Sequence, residues 1–387
     1  ATAIGDVPAS PSSRRQSKVM TSSLLRHSDS SLNSSQNNAS QMRSSLTSME
    51  SRSGDDYFAD QEDNDEIVDI NATATVFVQR LEPGHVAAIR CMTVCKKTVW
   101  VGCDDGSVYL WRVDTKARVQ LEDTHEAEAP VRSMCEALEC VWIASKQLKV
   151  YDAQRQMIVE LKWPGKSKSY VNSLVRLETM VIGGGEKDDV VGIWSAKKHE
   201  LLRCVRLSSI GTIKHSTTLG TLAVLSCNNQ LIALDKAQKC AEVQRWKAHK
   251  HSIIAMTHIG SAQLWTSDGA SLTVWRRRST GQIVVVSQQI DEYFDQRVNW
   301  LIRVRAQVWA GCSRSIVCWD AKTLDPCQML SGDKVDSVTC LVLADKNYVW
   351  SVSKRDKRLC VWRLGQERSK SKQNRLLSSD SSGSKDN

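Results

Sequence analysis

The stretch of this chain nearest in type to a phosphate-binding loop is Gly183-Gly184-Gly185-Glu186, which reads as a loop directly after an apolar run. It lacks the Lys and the Ser or Thr that would meet phosphate oxygens and a metal, and no helical period follows it. Cys91 with Cys95, and Cys135 with Cys140, have neither the spacing of a zinc pair nor a second pair to complete four ligands. His249-Lys250-His251 could hold a metal only weakly. Ser, His and Asp are all present, but their spacing groups no nucleophile with a base. The residues imply no catalytic group, no metal and no cofactor, and the chain is read as a binding protein rather than an enzyme.

What the residues do carry is a period. Apolar runs close on Trp111, Tyr151, Trp194, Leu234, Trp275, Trp319 and Trp362, with gaps of 40, 43, 40, 41, 44 and 43 residues. A second marker precedes most of these: Val99-Trp100-Val101-Gly102, Val141-Trp142-Ile143-Ala144, Leu264-Trp265-Thr266-Ser267, Val308-Trp309-Ala310-Gly311 and Val349-Trp350-Ser351-Val352. The third and fourth periods substitute Met180-Val181-Ile182-Gly183 and Leu222-Ala223-Val224-Leu225. Turn residues such as Asp104-Asp105-Gly106-Ser107 lie between the markers, so each pair reads as strand, tight turn, strand. A unit of this length buries its faces only by stacking on copies of itself, which predicts an all-β, seven-bladed β-propeller.

Inner strands are expected ahead of each hairpin, over 88–94, 131–137, 171–177, 210–216, 253–259, 298–304 and 337–343. Outer strands are expected after six of them, for example over 118–122, 157–162, 201–207, 241–246 and 283–288. The seventh period lacks one, whereas 73–81 has strand composition and precedes the first period. The N-terminal strand is therefore expected to complete the last blade and close the ring, which removes exposed edges. The predicted organisation is a Ser-rich then acidic disordered segment over 1–72, the propeller over 73–364, and a basic, Ser-rich disordered tail over 365–387.

These residues resemble the WD-repeat family over about three quarters of the chain. Gly84-His85, Gly102-Cys103-Asp104-Asp105-Gly106 and Leu110-Trp111 are close to that family's repeat, and Ala248-His249, Ser267-Asp268 and Val274-Trp275 form a second copy. The literal Trp-Asp pair stands at Trp319-Asp320, with Tyr151-Asp152 and Leu234-Asp235 as relics. The resemblance implies a buried structural network of His249, Ser267, Asp268 and Trp275. A less complete one would use His85, Asp105 and Trp111, with Cys103 where a hydroxyl is usual. Trp319, Asp320 and Trp362 would serve the same structural purpose in their blades. The recurrent second-strand Trp is similar to a divergent propeller type at the C-terminal end of Rho-type exchange factors, DENN-domain proteins, motor-adaptor scaffolds of the kinase-interacting class and Roco kinases.

Composition agrees with one large domain plus tails. Of the 13 cysteines most fall inside expected strands, where reduced thiols act as small core hydrophobes. No long apolar run and no signal segment opens the chain, so transmembrane insertion and secretion are not expected and a cytoplasmic location is. The first residue is Ala1, which fits a processed or truncated product. Within the Ser-rich segment, Ser17 after Arg14-Arg15 and Ser28 after Arg26 match basophilic kinase sites. Residues 1–72 carry six Lys or Arg against eleven Asp or Glu, so with a whole-chain charge of +9 the remainder holds +14.

That charge favours anionic partners. The candidate partner-binding residues are the basic ones of inter-strand loops: Lys187, Arg276, Arg277, Arg314, Lys354 and Arg355. The leading expectation is a non-catalytic scaffold or adaptor that binds proteins or peptides, acidic or phosphorylated ones included, in signalling or vesicle trafficking. The alternatives are a C-terminal regulatory propeller of a larger enzyme or small-GTPase exchange factor, and an RNA or phosphoinositide binder. Of these partners nucleic acid is the least favoured, while peripheral membrane association is compatible with the basic surface.

Overall fold

In the central hairpin of the first period Val99 pairs with Trp111, so these two side chains lie on one side of the sheet and Trp100 lies on the other. The period therefore places one bulky residue on each face of every blade, ready to meet a neighbour on both sides. The computed structural model, which describes residues 75–81, 87–116, 118–119, 129–165, 169–186, 188–208, 211–290, 296–331, 337–354 and 357–365, shows how they meet.

Seven four-stranded antiparallel sheets are formed. The first described strand is β1 (Val76–Leu81). Blade 1 holds β2 (Ile89–Cys95), β3 (Thr98–Cys103), β4 (Val108–Arg112) and β5 (Arg118–Val119). Blade 2 holds β6 (Ser133–Ala137), β7 (Cys140–Ala144), β8 (Leu148–Tyr151) and β9 (Met157–Leu161), and blade 3 holds β10 (Val171–Leu177), β11 (Met180–Gly185), β12 (Val190–Ser195) and β13 (Glu200–Arg206). Blade 4 follows with β14 (Ile213–Leu219), β15 (Leu222–Cys227), β16 (Gln230–Asp235) and β17 (Ala241–Lys247). Blade 5 comprises β18 (Ala255–Ile259), β19 (Gln263–Ser267), β20 (Ser271–Arg277) and β21 (Ile283–Ile290). Blade 6 comprises β22 (Val298–Val304), β23 (Gln307–Cys312), β24 (Ser315–Asp320) and β25 (Pro326–Ser331). Blade 7 takes β26 (Val338–Asp345), β27 (Tyr348–Ser353) and β28 (Leu359–Arg363) from the end of the chain and β1 from its beginning.

Strand β1 runs antiparallel to β28, from Val76 opposite Arg363 to Leu81 opposite Leu359, and Phe77 packs edge-on against Trp362 at 5.5 Å. Each inner strand touches the next around the circle, and β26 touches β2, so the ring is closed.

Blades are joined by one repeated contact. The second-strand marker of each blade packs against the closing residue of the next: Trp100 against Tyr151 at 5.8 Å, Trp142 against Trp194 at 6.5 Å and Trp265 against Trp319 at 6.4 Å. Ile182 shares a buried cluster with Leu234, Val224 with Trp275, Trp309 with Trp362, and Trp350 with Trp111 across the closure. The aliphatic substitutions of the third and fourth periods thus fill the same interface with less volume. Truncating one of the Trp members costs about 3–5 kcal/mol, because the site cannot collapse between two rigid sheets.

The inner strand of blade 4 runs over Ile213–Leu219 rather than 210–216, and two further sequence expectations change. Gly183, Gly184 and Gly185 are not a loop but the end of β11. A Cβ on Gly184 would stand 2.6 Å from Ile213 of blade 4, and one on Gly311 would stand 2.6 Å from Val338 of blade 7, so glycine is required by close approach between blades. The outer strands are also less regular than alternation suggests. Beside each closing residue in blades 2 to 7 the register slips by one, leaving Ile158, Leu202, Val243, Val286, Cys327 and Val78 as the extra residue of a β-bulge. Five of these are exposed apolar side chains and Cys327 is exposed as well. A bulge twists a free edge away from strand pairing, a protection every blade rim needs.

Candidate functional site

A meander has only two ends. Inner strands start, second strands end and third strands start on one face, here called upper; the remaining hairpins lie on the lower face. Arg314 and Lys354, both exposed, belong to second-to-third-strand loops and so to the upper face. Arg276 and Arg277 close β20 on the lower face. Arg277 is committed to the scaffold, donating to the Leu219 carbonyl at 3.4 Å and to Thr221 Oγ1 at 3.2 Å, while Arg276 is exposed. The six basic candidates therefore do not form one patch. Lys187 and Arg355 lie outside the described residues, as do His85, Ser17 and Ser28 and the segments 1–72 and 366–387.

The grouping that most resembles catalytic chemistry is in blade 5. Trp275 Nε1 donates to Thr266 Oγ1 at 2.8 Å, Thr266 Oγ1 meets His249 Nε2 at 2.8 Å, His249 Nδ1 meets Ser271 Oγ at 2.9 Å, and Ser271 Oγ donates to Asp268 Oδ1 at 2.9 Å. The ends fix the direction. An ionised carboxylate can only accept, so Ser271 spends its proton on Asp268 and accepts from Nδ1–H; a neutral ring then leaves Nε2 to accept from Thr266, whose oxygen accepts the indole N–H. Burial alone would push the Asp268 carboxyl up, but the backbone N–H and hydroxyl of Ser271 and the backbone N–H of His251 hold it below its ordinary value. Burial holds the His249 pKa down against the pull of Asp268, which keeps the ring neutral.

The hydrogen-bonded series runs Thr266, His249, Ser271, Asp268, yet His249 and Asp268 side chains are 0% and 2% exposed and Thr266 is fully buried. No substrate reaches it, and both imidazole nitrogens are occupied, so it binds no metal either. The hydroxyl at its centre is Thr266 rather than Ser267; Ser267 Oγ instead accepts from the Gly269 backbone N–H at 3.0 Å. Adjacent strand residues face opposite sides, so a one-residue difference in alignment exchanges a network hydroxyl for a turn hydroxyl.

Elsewhere the network is partial. Trp362 Nε1 donates to Ser351 Oγ at 2.8 Å. Asp105 accepts from the backbone N–H and hydroxyl of Ser107, and Trp111 is buried between blades 7 and 1. Asp320 caps the turn after β24, accepting from Lys322 and Thr323 backbone N–H groups, beside the buried Trp319. The expected cysteine core is visible too. Burial pushes the Cys135 and Cys340 thiols up to about 12, so both stay protonated. Among the described residues no group of three or more His, Cys, Asp or Glu could hold a metal ion.

The open site is the centre of the ring. A cavity of about 500 Å³ is lined by the first residues of six inner strands. At one register position, consecutive blades 1 to 4 present Arg90, Arg132, Asn172 and Lys214, whereas blades 5 to 7 present Ile254, Asn299 and Thr339. The upper mouth is therefore cationic along one arc. Arg90 pairs with Asp104, and Arg132 lies over the Tyr170 ring at 5.4 Å with a longer ion pair of 3.7 Å to Glu186.

Two steps below, Met92, Met134, Leu174, Met256 and Leu301 line the wall. Between these layers His215 meets Trp300 edge-on at 6.4 Å. Desolvation first, and the neighbouring Lys214 ammonium second, bring the His215 pKa down to about 4, so the ring is neutral. Ser173 and Ser216 hydroxyls bond across blades at 2.6 Å and Asn172 donates to the Ile213 carbonyl at 2.8 Å, which fixes the wall.

Comparison with known proteins now has a geometry to be set against. No family model and no curated protein sequence matches the chain. Among solved structures it is similar to one titled "Structure of U3-55K", with a TM-score of 0.62 and 11% identity, over 75% of this chain and 98% of that one. The chain is a seven-bladed β-propeller. In all, 1574 solved chains match it in fold, so the propeller architecture is shared too widely to carry a function by itself. No described helix is long and apolar enough to cross a membrane.

Proposed function

We propose that this propeller is a non-catalytic interaction platform of divergent WD type, binding peptides or protein domains on its upper face around the central mouth. The observation that carries the reading is where the polar chemistry lies. Among the described residues the Asp–His–hydroxyl chain is sealed inside blade 5, whereas the open cavity has a cationic arc and, among the described residues, no paired nucleophile and base. A preformed concave site with an apolar floor and few polar groups suits recognition at low ordering cost. The basic loops that bear Arg314 and Lys354 widen the same face.

The test is face-specific photo-crosslinking in cell extract. A crosslinking residue replaces Arg314 or Lys354 on the upper face, or Arg276 on the lower, in the full chain. The reading expects discrete protein adducts from the upper positions that survive moderate salt and nuclease. Adducts that are equal from both faces, or that vanish with nuclease, overturn it.

A further inference from the structure

Resting on that reading, we infer that the channel mouth selects an extended peptide in which an anionic side chain stands beside an apolar one, the anion held on the arc of Arg90, Arg132 and Lys214 and the apolar group lowered onto the methionine-lined layer. The spacing of the layers is the first support. Arg90 and Met92 of β2 both line the cavity, as do Arg132, just ahead of β6, and Met134 within it, so a charged rim and an apolar floor lie within one side chain's depth.

Unmet demand at the rim is the second. Arg132 Nε is buried with no hydrogen-bond partner among the described residues, and its ion pair with Glu186 is long at 3.7 Å. Lys214 is exposed and makes no ion pair among the described residues. A planar guanidinium and an exposed ammonium on one rim are groups that hold phosphate or carboxylate oxygens through charge-assisted bonds.

The aromatic groups argue against a nucleic acid. Base recognition by single strands needs free ring faces for stacking. Tyr170 is covered by the Arg132 guanidinium, and Trp300 meets the His215 ring edge-on and spends its N–H on the Leu341 carbonyl at 3.1 Å. A small free polyphosphate is also poorly served, because the three cations stand on blades 1, 2 and 4 rather than gathered at one point.

The test presents the full chain with short synthetic peptides of randomised flanks around two fixed residues with one position between them, which share a side of an extended chain: phosphoserine–leucine, glutamate–leucine, serine–leucine or phosphoserine–glycine. Phosphoserine–leucine and glutamate–leucine peptides are expected to be retained, and the order between those two arms names the source of the charge. Serine–leucine and phosphoserine–glycine should each bind at least about tenfold more weakly. Arg132→Gln and Lys214→Gln should each weaken the retained peptides by about tenfold or more, while Arg276→Gln leaves them unchanged. Lys214→Gln alters an exposed side chain and tests the arc even if Arg132→Gln disturbs packing.

Binding should also raise the His215 imidazole pKa, read by nuclear magnetic resonance, since an anion beside Lys214 offsets its charge. Equal retention of serine–leucine peptides while upper-face crosslinking persists overturns the anion selection and leaves the platform standing. Displacement by oligouridylate but not by peptide, or retention unaffected by both rim variants, overturns the inference outright.

Discussion

Thr266→Val removes one hydroxyl and keeps the side-chain shape. It orphans the Trp275 indole N–H and the His249 Nε2 lone pair together, both of which have Thr266 Oγ1 as partner at 2.8 Å. Each buried polar group left unpaired costs about 1–3 kcal/mol, so the substitution, which orphans two, should destabilise the chain by about 2–6 kcal/mol. Thr266→Ser keeps the hydroxyl and loses one methyl, a cost of about 1 kcal/mol. Ser267→Ala, one residue on, removes only the bond from the Gly269 N–H and should cost about 1 kcal/mol. Urea unfolding followed by tryptophan fluorescence reads all three, and the Trp275 indole proton resonance should move upfield in Thr266→Val alone. If Ser267→Ala costs as much as Thr266→Val, or if the indole proton stays put, the hydrogen-bond chain has been drawn through the wrong residue.

Three other outcomes follow from the same structure. Deleting residues 75–81 removes the outer strand of blade 7 and should abolish the cooperative unfolding transition, whereas deleting 1–70 should leave its midpoint where it was; equal midpoints would refute closure by β1. Trp309→Ala opens the contact with the blade 7 cluster around Trp362 and should cost about 3–5 kcal/mol in the urea transition, with less than about 1 kcal/mol showing that the blades do not depend on these contacts. The third concerns acid. His215, His249 and His258 all have folded pKa values below the ordinary 6.5, chiefly through desolvation, so between the two values the unfolded chain binds more protons. Stability is then full above pH about 6.5, falls as pH drops from there toward the His215 value of about 4, and gains no further loss from this source below it. His215 contributes up to about 3 kcal/mol of that fall. A urea midpoint that is flat or rising between pH 7 and pH 4.5 would contradict the neutral imidazoles.

Blade number, order and closure were legible because they rest on bulky residues whose spacing survives substitution. Val171–Leu177 and Val298–Val304 stand where alternation puts them, and β1 pairs with β28 because an unmatched strand at one end met a vacancy at the other. What escaped was set by register rather than composition. The slip beside the closing residues of blades 2, 3 and 5 has a sequence trace in Met157-Ile158, Leu201-Leu202 and Val285-Val286, apolar doublets that break the alternation of an edge strand and are accommodated by making one residue extra. Thr266 was missed in favour of Ser267 because both are hydroxyls and the side of the strand is invisible without the pairing partner.

The cationic arc escaped for a different reason: basic residues were sought in loops, where the turn residues draw the eye, while Arg90, Arg132 and Lys214 stand on or beside the inner strands. Yet Arg90, Arg132, Asn172 and Lys214 are separated by 42, 40 and 42 residues, the period of the blades themselves. A closed ring turns equal sequence spacing into equal height around an axis, so the polar residues that repeat with the fold are the ones brought to a single rim. The period that locates the core of a propeller therefore also locates its mouth, provided it is applied to the residues that do not pack.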